Sequence, residues 1–350
     1  MKIILMKALI YSIIATSFLI TIYIHFSCTD EKKNEFLPLN DGIEKYERIL
    51  DTLKVDDYSE IELKEVYQPI QIKYHEGFIY VLDFSIMKIN RYNEEWELVS
   101  IIGHGIGEGP GETKTITDFY IDDESVWIVD SDQFKVSKFN LDGHLLNEKI
   151  IDDHPMRIVA DDSISNILKI GGKGLFTEIN IVNDTKKEFG FFLKDQNQHF
   201  ISLDGNIEKV NDSLLIYLPR YFSKIYAFNM NTQKLHYHSF IPDGQFLPSS
   251  NTQKFGNSSI ISTPKNLRYI YREMSLLGER IIVSVYDKGV NEENDFVEKP
   301  KIYLDIFDAQ SGKYLHSYFV PFWFYRFTIS NENIYILSDN KIFEIPLSTS

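Results

Sequence analysis

The chain has 350 residues, 43% of them hydrophobic, and a formal net charge of −15 at pH 7. That is enough apolar material for a large core, and it excludes global disorder. The acid excess, with no basic stripe anywhere, excludes nucleic acid as a partner, because neutralising phosphates needs clustered Lys and Arg.

At the N-terminus, Lys2 and Lys7 precede an apolar run from Ala8 to Phe26. A basic start followed by such a run reads as an export signal. It is also long enough to span a bilayer uncleaved. Cys28, the only cysteine, follows directly, so an intrachain disulfide framework is excluded. The stretch "HFSCTDE" resembles a bacterial lipoprotein signal, which implies cleavage after Ser27 and acylation of Cys28. His25 and Phe26 depart from the usual residues there. Residues 1–27 are therefore expected to be a lipoprotein-type signal peptide, with an uncleaved anchor as the alternative. Its removal takes away two lysines and no acids, giving 34 − 51 = −17. Residues 28–57 read as a tether, in which Ile43, Tyr46, Ile49, Leu50 and Leu53 have the spacing of a short helix.

From Tyr58 to the end the pattern changes to strand, tight turn, strand. Segments beginning at Gly77, Ser125, Ser165, Ser213, Arg280 and Asn333 each hold two apolar strands and then a turn. The turns, such as Asp142-Gly143 and Gln310-Ser311-Gly312, carry residues that accept turn angles cheaply. An apolar stretch precedes each segment, for example "ITDFYID" at Ile116. Aromatics are 14% of the chain, which suits a pleated surface. Six units of four strands predict an all-β fold, a six-bladed β-propeller of four-stranded antiparallel blades over residues 58–350. The last unit lacks its outer strand. The ring is therefore expected to close through the N-terminal side, by "SEIELKEVY" (Ser59–Tyr67) or "ERILDTLKV" (Glu47–Val55).

Between Gly103 and Gly111 lie five glycines and one proline. Their spacing misses the dinucleotide pattern, no Walker lysine follows, and the next residues are strand formers. The stretch reads as a bend from one blade's rim to the next blade's centre. Gly107-Glu108-Gly109-Pro110-Gly111-Glu112 resembles the inter-blade turn of NHL-type propellers. At the family level the chain resembles the six-bladed propeller lipoproteins of Bacteroidetes, NHL-like or TolB-like. That resemblance implies a cell-envelope propeller anchored to the outer membrane and implies no particular chemistry.

Within a blade the strands run A to D from the axis outward. Turns A–B and C–D emerge at one end, and B–C hairpins and D-to-A crossovers at the other. The long segments all fall at the second end: the glycine stretch, Pro242–Arg268 and Asp287–Pro300. Long loops gathered on one face mark that face as the working one. Arg220, Arg268 and Arg326 are candidates there for holding a carboxylate, and Trp323 and Tyr325 for a sugar or peptide. Most of the aromatic run Tyr318–Phe327 is expected to pack between blades. Asp83, Asp130 and Asp339 recur at the end of the second strand. They fit either hairpin-fixing acceptors or a Ca²⁺ site, and no other cofactor is expected. His236 and His238 share a strand face without a third metal ligand. No nucleophile pattern stands out. The chain reads as a membrane-tethered binding or scaffold module for a protein, peptide or glycan. The alternative is a metal-dependent propeller enzyme of the lactonase, lyase or hydrolase kind, with acids and Asn from the inner strands converging on the axis.

Overall fold

The computed structural model describes residues 47–51, 58–152, 154–162, 164–170, 173–191, 203–241, 251–255, 258–262, 273–287, 301–324, 326–338 and 340–347. The signal segment and Cys28 lie outside them, as does most of the tether. Among the described residues there is no α-helix, and none long and apolar enough to cross a membrane.

Strands β1 (Leu50–Asp51) and β2 (Ser59–Glu62) come first. Blade one is β3 (Pro69–His75), β4 (Phe78–Asp83), β5 (Lys88–Asn93) and β6 (Leu98–Ile102). Blade two is β7 (Ile116–Ile121), β8 (Ser125–Asp130), β9 (Lys135–Asn140) and β10 (Leu145–Ile150). Blade three is β11 (His154–Asp161), β12 (Ile164–Ile170), β13 (Phe176–Asn180) and β14 (Thr185–Phe189). Blade four is β15 (Gly205–Asn211), β16 (Leu214–Pro219), β17 (Lys224–Asn229) and β18 (Lys234–Phe240). A separate hairpin, β19 (Asn251–Phe255) and β20 (Ser258–Ser262), sits in the crossover to blade five. Blade five is β21 (Met274–Leu277), β22 (Arg280–Asp287), β23 (Lys301–Asp308) and β24 (Tyr314–Val320). Blade six has β25 (Arg326–Ile329), β26 (Asn333–Ser338) and β27 (Lys341–Pro346), and its outer strand is β2. Ser59 to Glu62 pair antiparallel with Glu344 to Lys341, so the first of the two expected splices closes the ring.

The second segment does something else. Residues 47–51 form no helix, and Leu50–Asp51 pair in parallel with Ser317–Tyr318 on the rim of blade five. What overrides the helical spacing is an ion pair. The Arg48 guanidinium grips Asp305 at 3.0 and 3.1 Å and lies over the Tyr303 ring. Asp305 is fully buried and also accepts from Ser317 Oγ at 2.6 Å. Breaking a buried pair in a closed interior costs about 3–5 kcal/mol. Here undocking of the segment would let water reach Asp305, so Arg48→Ala is expected to cost about 2 kcal/mol. The loss should show in thermal melts and as faster proteolysis before residue 58.

Six hydrophobic clusters hold the ring, one at each junction between neighbouring blades. Period-2 alternation builds them, because each B strand is buried on both faces. In β4, Tyr80 and Leu82 pack with blade two, and Ile79 and Val81 with blade six. In β8, Val126 and Ile128 return to blade one, and Trp127 and Val129 go to blade three. The blade-five to blade-six junction takes Phe324 and Phe327, with Phe322 and Trp323 packed on its flank. Much of the aromatic run is thus inter-blade packing, as its composition implied.

The glycine stretch is a bend closed on itself. Thr113 donates its N–H to the Gly105 carbonyl at 2.9 Å and accepts from Gly107 N–H at 3.1 Å, and Gly111 N–H donates to Glu148 at 2.9 Å. Buried Lys135 ties the stretch to blade two by donating to the Glu112 carbonyl at 2.7 Å, 3.0 Å from Glu148. A Cβ on Gly107 would sit 2.0 Å from the Glu112 carboxylate, so a side chain there would push that carboxylate off the Gly109 N–H it accepts from. These amides are spent within the protein rather than aimed at a phosphate.

Candidate site in the axial channel

The inner strand of each blade lines the axis. In blades one to three that strand carries a bulge near its start, where Ile70, Thr117 and Met156 are the extra residues. A bulge re-aims the residues that follow it. Counted from each A–B turn, the registers then place Gln71, Asp118, Arg157, Asn206, Glu273 and Arg326 at one level. All six are polar, one from each blade. One step nearer the A–B turns come Lys73, Tyr120, Val159, Glu208, Ser275 and Thr328. Residues of both levels line a cavity of about 310 Å³.

The ring order sets what faces what. Blade four lies across the axis from blade one, so Lys73 and Glu208 oppose each other, and their charged atoms approach to 3.8 Å. Lys73 also lies 3.4 Å from Asp118. Asp118, almost wholly buried, is held by the Gln71 amide at 2.7 Å and by the Ile158 N–H at 3.1 Å. Arg157 is nine-tenths buried and donates to the Met156 carbonyl at 2.7 Å, while its nearest carboxylate, Asp204, is 3.7 Å away. Asp204 in turn holds Arg220 at 2.8 Å. Arg326 pairs with Glu273 and donates to the Ile70 carbonyl at 3.1 Å.

Burial lowers the affinity of the Lys73 amine for its proton, but the Asp118 and Glu208 carboxylates outweigh burial and leave its pKa above the ordinary value. Lys73 is therefore an ammonium, a hydrogen-bond donor rather than a nucleophile. Burial also drives Glu208 upward, and the Asp118 and Glu273 charges add to it; Lys73 opposes them, and the carboxyl ends at about 7.

The structure spreads the residues singled out from sequence over four environments. Arg220 and Arg326 lie beside the channel at its loop-rich end, each engaged by an acid. Trp323 packs at the blade-five junction, and its carbonyl accepts from Ser338. Asp83 accepts from Tyr67, Gln68 and Ser85 N–H groups, and Asp130 from those of Lys114, Thr115, Asp132 and Gln133. Each carboxylate thereby joins the crossover into its blade to its own B–C hairpin. Arg268, Tyr325 and Asp339 lie outside the described residues. His236 and His238 are on the outer strand β18, where His238 packs tilted against Tyr226 and edge-on to Phe240. Among the described residues, the group of three with metal-ligand potential is His75, Glu76 and Asp123 at the A–B end, two of them exposed.

Sequence reading missed Lys73, Asp118, Arg157, Glu208 and Glu273. They fall on alternate positions of the inner strands (Gln71, Lys73; Asp118, Tyr120; Asn206, Glu208; Glu273, Ser275), but bulges in blades one to three hide which alternate set faces the axis.

Six four-stranded blades around a charged axial channel define a six-bladed β-propeller with a polar axis. The match of residues 58–319 to the DUF5128 family, described as a 6-bladed beta-propeller, is direct: the chain belongs to that family. Among curated proteins no significant relative is found. A member of the DUF4221 family from Bacteroides vulgatus is similar in structure, with a TM-score of 0.60, 8% identity and coverage of 84% of this chain and 97% of its own. A putative exported protein from Bacteroides fragilis gives 0.53 at 13% identity, covering 85% and 98%. The Cps50 (Swd1) β-propeller domain of Myceliophteria thermophila gives 0.51 at 9%, covering 82% and 99%. At these identities the likeness is one of fold.

Proposed function

We propose that the protein is an exported, membrane-tethered binding module whose ligand occupies the axial channel. The observation that carries this is the ring of six polar side chains, one from each blade, at a single level of the channel. Burying that many charged and amide groups around an axis is costly for stability alone, and polar groups converging on a cavity are what ligand sites provide. Export and tethering rest on Lys2, Lys7, the Ala8–Phe26 run and Cys28, with Cys28 the acylated residue and the outer membrane the destination. A protein, peptide or glycan that presents a polar group to the mouth suits the long crossovers there.

The test is purification of the tagged full-length protein from native membranes, with mass spectrometry of what accompanies it. A companion molecule lost on Arg157→Gln, with an unchanged melting profile, is the expected result. One retained by that variant would place binding elsewhere.

A second reading, the propeller enzyme, is favoured by one observation. Asp118, Glu208, Glu273 and Asn206 converge from inner strands, and a carboxyl titrating near 7 suits proton transfer at neutral pH. Depletion of a compound from a metabolite extract by the protein, and not by Glu208→Gln, is the outcome that would select it.

A further inference from the structure

The pair that meets across the axis indicates the chemistry of the ligand, given that the channel is the binding site. Lys73 has three donors, and its two nearest carboxylates stand at 3.4 and 3.8 Å. A charge-assisted hydrogen bond is closer, at roughly 2.7–2.9 Å. Among the described residues, Asp118, Glu208 and the Phe119 ring are its neighbours, none at the distance of a short charge-assisted bond, so the ammonium on the cavity has donor capacity to spare. The other cations at this end are engaged: Arg326 by Glu273 and the Ile70 carbonyl, Arg220 by Asp204, and Arg157 by the Thr117 and Met156 carbonyls. Glu208 is the opposite case. Among the described residues its one ion-pair partner is Lys73, beyond hydrogen-bond reach, and about a fifth of its side chain faces the channel.

We propose that the channel binds a carboxylate group of its ligand at Lys73, displacing Glu208 from the axis. The charge balance follows. Among the described residues at these two levels and beside them, Lys73, Arg157, Arg220 and Arg326 stand against Asp118, Asp204, Glu208 and Glu273. Four cations meet four acids, and a fifth carboxylate enters without excess charge only when Glu208 takes a proton. Nearer the A–B end, Lys209 is held by Asp161 and Asp212, and His75 faces Asp123, so neither alters that balance at Lys73. Tyr120 and Thr328 lie at the level of Lys73 and present no opposing charge. Glu208 titrates near neutrality, so it takes up that proton readily. Binding of the carboxylate is thereby coupled to uptake of one proton.

Calorimetric titration of the full-length protein in detergent tests this, with succinate and acetyl-dialanine as carboxylates. Acetyl-dialanine amide and N-acetylglucosamine serve as uncharged controls. Binding of either carboxylate is expected to weaken about tenfold per pH unit above neutrality. Glu208→Gln mimics the protonated acid, so it should bind while losing that slope. Lys73→Met should lose at least about tenfold in affinity, equivalent to about 1.4 kcal/mol, with its melting profile as the folding control. Preference for succinate or for the peptide separates a free organic acid from a peptide terminus. Equal binding by Lys73→Met, or an unchanged slope in Glu208→Gln, overturns the proposal. Binding of the sugar or the amide alone overturns it too, yet leaves the channel as a binding site. If no probe binds but a companion is still captured from membranes and lost on Arg157→Gln, the carboxylate assignment falls alone. If that capture fails as well, both readings fall.

Discussion

Asp130→Ala should destabilise the protein by about 4 kcal/mol or more, the sum of several stranded donors at about 1–3 kcal/mol each. Asp130 is 1% exposed and accepts from the N–H groups of Lys114, Thr115, Asp132 and Gln133 and from the Gln133 amide. Alanine leaves these donors without an acceptor at the point where the glycine-rich crossover enters blade two. Each kcal/mol lowers the melting temperature of a chain this size by about 2 °C, so a fall of about 8 °C is expected. Asp130→Asn keeps an acceptor for the three donors to Oδ1 but turns an amide toward Lys114 N–H, and should lose roughly half as much. Chelation by EDTA should leave the wild-type melt unmoved. A large downward shift on chelation would mean that these carboxylates serve a cation, and the hairpin account would be wrong.

That role was legible because Asp83 and Asp130 recur at one place in a repeat, and a repeat position reports on the blade rather than on a ligand. The ring splice was legible for a related reason: a missing outer strand leaves an edge that only the N-terminal segment supplies. The glycine stretch betrayed itself through the β-branched residues after it. The axial ring was not legible. Gln71, Asp118 and Arg157 each follow an extra bulge residue, and a one-residue insertion reverses which side chains face the axis. Nothing in "PIQIKYH" or "PMRIVAD" marks where that insertion falls. Lys73 and Glu208 are also far apart in sequence, and only the closure of the ring sets blade one against blade four. The described part of the tether, residues 47–51, departs from its spacing in the opposite sense. Ile49, Leu50 and Leu53 carry a helical spacing, but the rim of blade five and the buried Asp305 hold residues 48–51, with Leu50–Asp51 as a short strand. Local periodicity loses to a waiting acceptor.

Glu208→Gln should make the protein more stable at neutral pH, the reverse of what most substitutions at a designed-looking site do. The sign follows from the proton. Folding raises the Glu208 pKa from the ordinary 4.5 to about 7. Between those values the folded chain holds a proton that the unfolded chain has released. The wild type therefore loses stability as pH rises from about 4.5 to about 7, and the loss is constant above that. Each unit of difference corresponds to about 1.36 kcal/mol, so the full effect is about 3 kcal/mol at most, with water in the channel reducing it. Glutamine carries no such charge and escapes the penalty. Denaturant melts near about pH 4.5 should show the two proteins within about 0.5 kcal/mol of each other. Near about pH 8 the variant should be ahead by about 2 kcal/mol. A variant less stable at both values would show that the Lys73–Glu208 contact is a net support of the ring. The wild type keeps a carboxylate that weakens it above about pH 7, which is what a residue retained for binding does. Stability measured across pH and affinity measured across pH then report on the same proton, and the two midpoints should coincide.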